Sequence, residues 1–189
     1  MTTTPRGSRP ARRTALADGT VEVRGDRTAL RFERHLAHPV EEVWAAITEP
    51  EQLAAWLAEA EIDLVEGGDV VLRWLNADTE GNRAVARGTI TRLEPPRLLE
   101  METDIHGTLR WHLIAEDDGC RLTFTATTAM AAHWLPIVLA GWHAHLDFLA
   151  DALMGERVDW PNWPLDHWQA LHIAYAARLS QAAHAIAAD

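Results

Sequence analysis

The segment GWHAHLDFLADAL, from Gly141 to Leu153, contains two histidines and two aspartates, side chains that bind metal ions or transfer protons. Its apolar residues recur at steps of three and four, which predicts a helix. Residues two apart on a helix point about 200° away from each other, so His143 and His145 cannot bind one metal ion together. His143 and Asp147 have a suitable spacing, but they lie off the apolar stripe, where an exposed polar face is expected. We therefore predict no metal site, whereas His145 borders the stripe and could enter an interior cavity.

The residue types that the chain lacks limit its chemistry further. It has no lysine for a Schiff base or a phosphate loop, and its serines, Ser8 and Ser180, lie near the ends. A single cysteine excludes an internal disulfide and a cysteine-based zinc site, and no Gly-x-Gly-x-x-Gly motif for a dinucleotide is present. Catalysis would depend on Asp, Glu and His side chains, with Cys120 and Tyr175 as secondary candidates. The sequence places no pair of carboxylates on an inward-facing strand. The sequence therefore predicts no catalytic residue and no cofactor, and it favours a protein that is not an enzyme.

Composition and charge indicate an ordinary globular protein, with 48% hydrophobic and 24% charged residues. No apolar run approaches the ~20 residues of a membrane span, and the start has no apolar core of a secretory signal, so we expect a cytoplasmic protein without membrane insertion. Residues 1–19 carry four arginines against one aspartate, and we expect a disordered basic arm there. The whole chain has a net charge of −11, so the residues after this arm are acidic. An acidic body argues against nucleic-acid binding.

The order of the predicted elements defines one domain over 20–155. TALRFERHLAH alternates as a first strand, with an apparent slip between Phe32 and Leu36, and VEEVWAAITEP and EQLAAWL are two short helices. Six strands then follow as an antiparallel meander, with turns at Gly67-Gly68, after Pro95-Pro96, near His106-Gly107 and at Asp118-Gly119. A long helix runs from about Trp134 to Leu153. Residues 156–189, the C-terminal extension, are rich in tryptophan and end in another helix, with Trp168, Leu171, Tyr175 and Leu179 in register.

This order of elements resembles the helix-grip fold of the SRPBCC (START-like) superfamily. The chain looks most like the bacterial relatives of the activator of heat-shock protein 90 ATPase. The resemblance is carried by FERHLAHPVEEVWAAITEPEQLAAWL, followed in order by GTITRLEPPRLLEMET, DGCRLTFT and GWHAHLDFLADAL. It implies an α+β protein in which a curved antiparallel sheet wraps around a long C-terminal helix, with two short helices after the first strand. It also implies a cavity between sheet and helix, in which relatives bind lipids, steroids, aromatic polyketides or plant hormones.

Nine tryptophans in 189 residues support an aromatic lining for such a cavity. Strand alternation places Leu109, Trp111 and Leu113 on one face and Arg110 and His112 on the other, although a slip of one residue would invert this. The candidates for the ligand pocket are Trp56, Trp74, Met101, Trp111, Phe124, Trp142, His145 and Leu149.

Three functions are compatible with this pattern. The first is non-enzymatic binding of a hydrophobic or aromatic small molecule. The second is a cyclase or hydratase using His, Asp or Glu in the cavity. Arg73, Glu102 and His112 lie on faces that would turn inward if the strand register were shifted by one residue. The third is a protein-interaction module, either co-chaperone-like or a partner of a transcriptional regulator. The C-terminal extension could cover the pocket or form the contact of a homodimer.

Overall fold

The computed structural model of the chain describes residues 19–77 and 80–187. The basic arm expected over 1–19 lies, apart from Gly19, outside the described residues.

Eight antiparallel strands form one curved sheet in the order β1-β2-β8-β7-β6-β5-β4-β3. Strands β3 to β8 are the predicted meander. The strand predicted from TALRFERHLAH is β2, and a shorter strand, β1, precedes it and pairs with its outer edge. The bounds are Thr20–Arg24 for β1, Arg27–Leu36 for β2, Ala58–Ile62 for β3, Asp69–Trp74 for β4, Val85–Glu94 for β5, Leu98–Thr103 for β6, Gly107–Glu116 for β7 and Gly119–Thr128 for β8.

Two short helices connect β2 to β3, α1 at Val40–Thr48 and α2 at Pro50–Trp56. Pro39 directly precedes α1, and Pro50 is the first residue of α2, a position where its missing N–H leaves no hydrogen bond unmade. Trp56 ends α2 and donates a hydrogen bond from its indole nitrogen to the carbonyl of Ala46, at 2.9 Å. This bond joins the two helices.

The long helix, α3, spans Leu135–Leu153 and packs against the inner face of the sheet, after a single 3-10 turn at Ala132–Trp134. A second 3-10 turn at Trp160–Asn162 leads into α4, Leu165–Ala187, which packs against α3. Because α3 is covered on both sides, its buried residues are not confined to one stripe.

Strand alternation determines which side chains form the core. Leu109, Trp111 and Leu113 are buried on the inner face, as predicted. Strand β2 shows no slip: its buried positions alternate without interruption from Thr28 to Leu36, and the inward residue between Phe32 and Leu36 is Arg34. A charged residue therefore lies on the core face, where the apolar pattern had seemed to break.

Glycine is required at two positions in the sheet and its turns, Gly67 and Gly88. Gly67 has a φ of +81° in the β3–β4 turn, a conformation that other residues rarely adopt. A Cβ atom on Gly88 would lie 2.0 Å from the carbonyl oxygen of Glu102, so only glycine allows β5 to approach β6 there.

Candidate ligand-binding site

Five aromatic side chains lie together between the sheet and α3, and we call them the aromatic cluster. The ring centroid of Trp142 lies 4.4 Å from that of Phe124 and 5.5 Å from that of Trp74. Trp111 lies 4.2 Å from Phe124 and 5.8 Å from Trp56, the fifth member. The rings contact each other through faces and edges, so they occupy the centre of the space that the fold encloses.

The strand register and the helix place these rings. Trp111 on β7 lies directly opposite Phe124 on β8, and both point to the inner face. Trp74 is the last residue of β4. Trp142 lies near the middle of α3, on the side of the helix that faces the sheet. Met101 and Leu149 are buried in the same core. All eight residues proposed from the sequence as pocket candidates are therefore buried between the sheet and the helices.

Two histidines meet the cluster at one end of the sheet. The ring centroid of His145, on α3, lies 5.1 Å from that of Trp74, and the ring of His106 lies 5.0 Å from Trp74 on another side. His106 precedes β7, and Asn76 follows β4. Because these strands are antiparallel members of one sheet, the end of β4 and the start of β7 lie at the same end.

Four buried polar atoms at this end have no hydrogen-bond partner among the described residues, and we call this group the polar corner. They are His145 Nε2, His106 Nε2, Trp74 Nε1 and Asn76 Oδ1. Buried polar groups in folded proteins are nearly always hydrogen-bonded, and exceptions often mark a site for water or a ligand. His145 and Trp74 were predicted from the sequence as pocket residues, whereas His106 and Asn76 were not, because they lie in the connections between strands.

Burial keeps both histidines of the polar corner uncharged at neutral pH. Burial lowers the pKa of His145 to about 4, with a smaller effect from the neighbouring His106, although the carbonyl of Gly141 opposes the shift. Burial likewise lowers the pKa of His106 to about 4, opposed by the charge of Asp104. The polar corner therefore offers neutral hydrogen-bonding groups inside an aromatic environment.

The C-terminal extension closes the other side of His145. The ring of Trp160 stacks near that of His145, with centroids 6.3 Å apart, and meets Phe148 edge-on at 6.2 Å. Its indole nitrogen donates to the carbonyl of Ala54, on α2, at 2.9 Å. Trp160 thus bridges α2 and α3, and it belongs to the surroundings of the polar corner.

His143 and Asp147 of α3 form a buried ionic group with Arg34 of β2 and His167 of α4. Asp147 Oδ2 lies 2.8 Å from His167 Nε2, while Oδ1 lies 3.6 Å from His143 Nε2 and 3.8 Å from an Arg34 nitrogen. His143 and Asp147 were expected on an exposed face. That expectation was wrong, because α4 covers this side of α3 and buries both side chains.

Other polar candidates lie on the outer face of the sheet. Arg110 and His112 line an external groove of about 320 Å³, together with Arg31, Glu33 and Arg121. Glu102 is exposed, and Arg73 forms an exposed ion pair with Glu61. The register is the predicted one, so Arg73, Glu102, Arg110 and His112 do not turn inward.

Within residues 19–77 and 80–187, no group of three or more His, Cys, Asp or Glu side chains is arranged to hold a metal ion. No helix in the same part of the chain is long and apolar enough to cross a membrane.

An antiparallel sheet curved around a long helix defines the helix-grip class of α+β proteins. The family model described as "Activator of Hsp90 ATPase homolog 1-like protein" matches residues 37–154, more than half of the chain. The chain therefore belongs to this family. No curated protein sequence matches it.

Solved structures of bacterial proteins share the fold. The crystal structure of CalU16 from Micromonospora echinospora is 29% identical, with a TM-score of 0.65, over 85% of this chain and 96% of that one. The solution structure of the protein encoded by gene BPP1335 of Bordetella parapertussis is 26% identical, with a TM-score of 0.64, over 94% and 95%. An AHSA1-like protein from Aeromonas hydrophila is 26% identical, with a TM-score of 0.58, over 67% and 92%.

Proposed function

We propose that this protein binds a hydrophobic or aromatic small molecule between the sheet and α3, without chemical conversion. The observation that carries this proposal is the polar corner: His145 Nε2 and Trp74 Nε1 are buried, lack hydrogen-bond partners among the described residues and are surrounded by aromatic rings. Aromatic surfaces with a few convergent polar groups are typical of small-molecule sites. Because the rings fill the centre, the ligand would bind at the polar corner and rest against Trp74 and Trp142.

The protonation of the histidines favours binding over catalysis. A general base works best when its pKa lies near the working pH. His106 and His145 have pKa values of about 4, so they are weak bases at neutral pH. The carboxylate of Asp147 is engaged with Arg34 and the histidines around it, on the far side of α3 from the cluster.

The placement of the C-terminal extension supports a role as a cover for the site. Trp160, Trp163 and Trp168 are partly buried and pack against the core of the same chain. Side chains that already bury their apolar surface within the chain have less of it to offer a second copy or another protein. We therefore favour ligand binding over the interaction-module alternative.

A titration with N-phenyl-1-naphthylamine, a neutral apolar fluorophore, tests the proposal. We expect saturable binding of one molecule per chain, and we expect Trp142→Phe to change the affinity because its ring borders the polar corner. Trp134→Phe is the matched control, since Trp134 is half-exposed and precedes α3. An absence of saturable binding, or an equal change in both variants, would contradict the proposal. If the fluorophore binds as expected, native mass spectrometry of protein purified from its own host is the measurement that identifies a co-purified ligand.

A further inference from the structure

The hydrogen-bonding direction at His145 follows from its neighbour. His145 Nδ1 lies 2.8 Å from the carbonyl oxygen of Gly141, one turn earlier in α3. A carbonyl oxygen only accepts hydrogen bonds, so Nδ1 must carry the proton. In the neutral ring, Nε2 then presents a lone pair, and it can only accept a hydrogen bond. A ligand at this atom has to be a donor.

The opposite requirement holds at Trp74. An indole nitrogen carries a hydrogen and only donates, so a ligand at Trp74 Nε1 has to be an acceptor. The rings of Trp74 and His145 meet edge to face with their centroids 5.1 Å apart, so the two unsatisfied nitrogens belong to rings in direct contact. Asn76 Oδ1 is a further acceptor in the polar corner.

A hydroxyl group meets both requirements, because it donates one hydrogen bond and accepts others. We propose that the polar corner binds the hydroxyl group of an uncharged aromatic molecule, which donates to His145 Nε2 and accepts from Trp74 Nε1. This inference rests on the proposed function and narrows its ligand class to phenols and aromatic alcohols. The ring of the ligand would rest against Trp74 and Trp142.

Competing functional groups fit less well. An ionised carboxylate has no hydrogen to donate, so it would leave His145 Nε2 unsatisfied. An ether could accept from Trp74 but would leave His145 unsatisfied. A charged group of either sign would also lose its hydration among aromatic rings, which is costly without an opposite charge. A site whose buried groups hydrogen-bond a ligand hydroxyl discriminates strongly against analogues that lack it.

Three naphthalene probes of similar size test this inference with the full chain at pH 7: 2-naphthol, 2-methoxynaphthalene and 2-naphthoate, titrated by calorimetry. We expect 2-naphthol to bind at least about tenfold more tightly than the other two, the change that corresponds to one hydrogen bond of ordinary strength. His145→Phe should lower the affinity for 2-naphthol to that for the ether and leave the ether unaffected. His112→Phe, on the outer face of the sheet, is the matched control and should change neither affinity.

The outcomes separate the two proposals. Equal affinities for all three probes would overturn the hydroxyl inference but leave the proposed function standing. Tightest binding of 2-naphthoate would overturn it as well, because a protonated histidine would then be the recognition group. If none of the probes binds, both proposals fail.

A nuclear magnetic resonance measurement on the wild-type protein keeps the test independent of how the variants fold. Long-range proton–nitrogen correlations of the imidazole rings distinguish the two neutral tautomers. We expect His145 to carry its proton on Nδ1 and the Nε2 resonance to move when 2-naphthol is added, while the resonances of His112 stay unchanged. A proton found on Nε2, or an unmoved Nε2 resonance at saturation, would overturn the inference.

Discussion

The hydroxyl oxygen of Tyr175 lies 2.8 Å from Nδ1 of His143, across the contact between α4 and α3. The same hydroxyl accepts a hydrogen bond from the backbone N–H of Gly19 at 2.7 Å, and Arg178 donates to the carbonyl of Gly19. Tyr175 is almost fully buried, so these bonds are formed away from water. The C-terminal helix is therefore joined both to α3, which carries His145, and to the start of the first strand.

Tyr175→Phe removes this hydroxyl, so the backbone N–H of Gly19 and Nδ1 of His143 each lose their hydrogen bond to it. We expect the free energy of unfolding to fall by about 1–3 kcal/mol, the cost of leaving such groups unsatisfied. Urea denaturation of the variant and the wild type measures this change in the free energy of unfolding. Ile173→Ala, at an exposed position of the same helix, is the control and should change the free energy by less than about 0.5 kcal/mol. Equal stabilities of Tyr175→Phe and the wild type would show that the hydroxyl does not stabilise the fold.

Stability should fall in mildly acidic solution because of His145. Its pKa in the folded protein is about 4, below the ordinary histidine value of 6.5, so the unfolded chain binds a proton more readily. The stabilisation is fully present above about pH 6.5 and is lost as the pH falls towards 4. Between pH 7 and pH 5 we expect this residue to contribute a loss of roughly 1–2 kcal/mol, measured by denaturant unfolding at each pH.

A matched pair of variants isolates that contribution. His145→Phe has no titratable ring, so its stability should decline less steeply with falling pH than that of the wild type. Ile173→Ala, at an exposed position that does not titrate, should keep the wild-type dependence. If the two variants decline in parallel, His145 is not protonated on unfolding in this range, and its assignment as a buried neutral histidine is wrong.

Trp142→Ala tests how tightly the aromatic cluster is packed. The Trp142 ring contacts the rings of Trp74, Trp111 and Phe124, together with both histidines of the polar corner. Its removal should leave a cavity and lower the free energy of unfolding by about 3–5 kcal/mol. Trp134→Ala, at a half-exposed ring, should cost less than about 1 kcal/mol. A cost for Trp142→Ala close to that of Trp134→Ala would mean that its ring lines open space instead.

Much of the fold could be predicted because the patterns that specify it are local. The inward positions of Trp111 and Phe124 follow from the period of two in their strands, and the turn at Gly67 follows from a residue type that adopts positive φ. The long helix ends at the predicted residue, Leu153, and Trp142 faces the sheet because its apolar neighbours recur at steps of three and four. These features need no knowledge of distant residues.

The chemistry of the site depended on contacts between distant segments. Arg34 seemed to interrupt its strand, yet it points inward, where Asp147 lies near its guanidinium. Asp147 seemed exposed until α4 covered it. His106, Asn76 and His145 come from two connections and a helix, and only the antiparallel order of β4 to β7 brings them to one end of the sheet. The sequence alone determined most of the elements and the faces of most strands, because those follow from spacing along the chain. The tertiary structure decided which polar atoms are buried without partners, because burial and hydrogen bonding depend on what the rest of the chain places beside them.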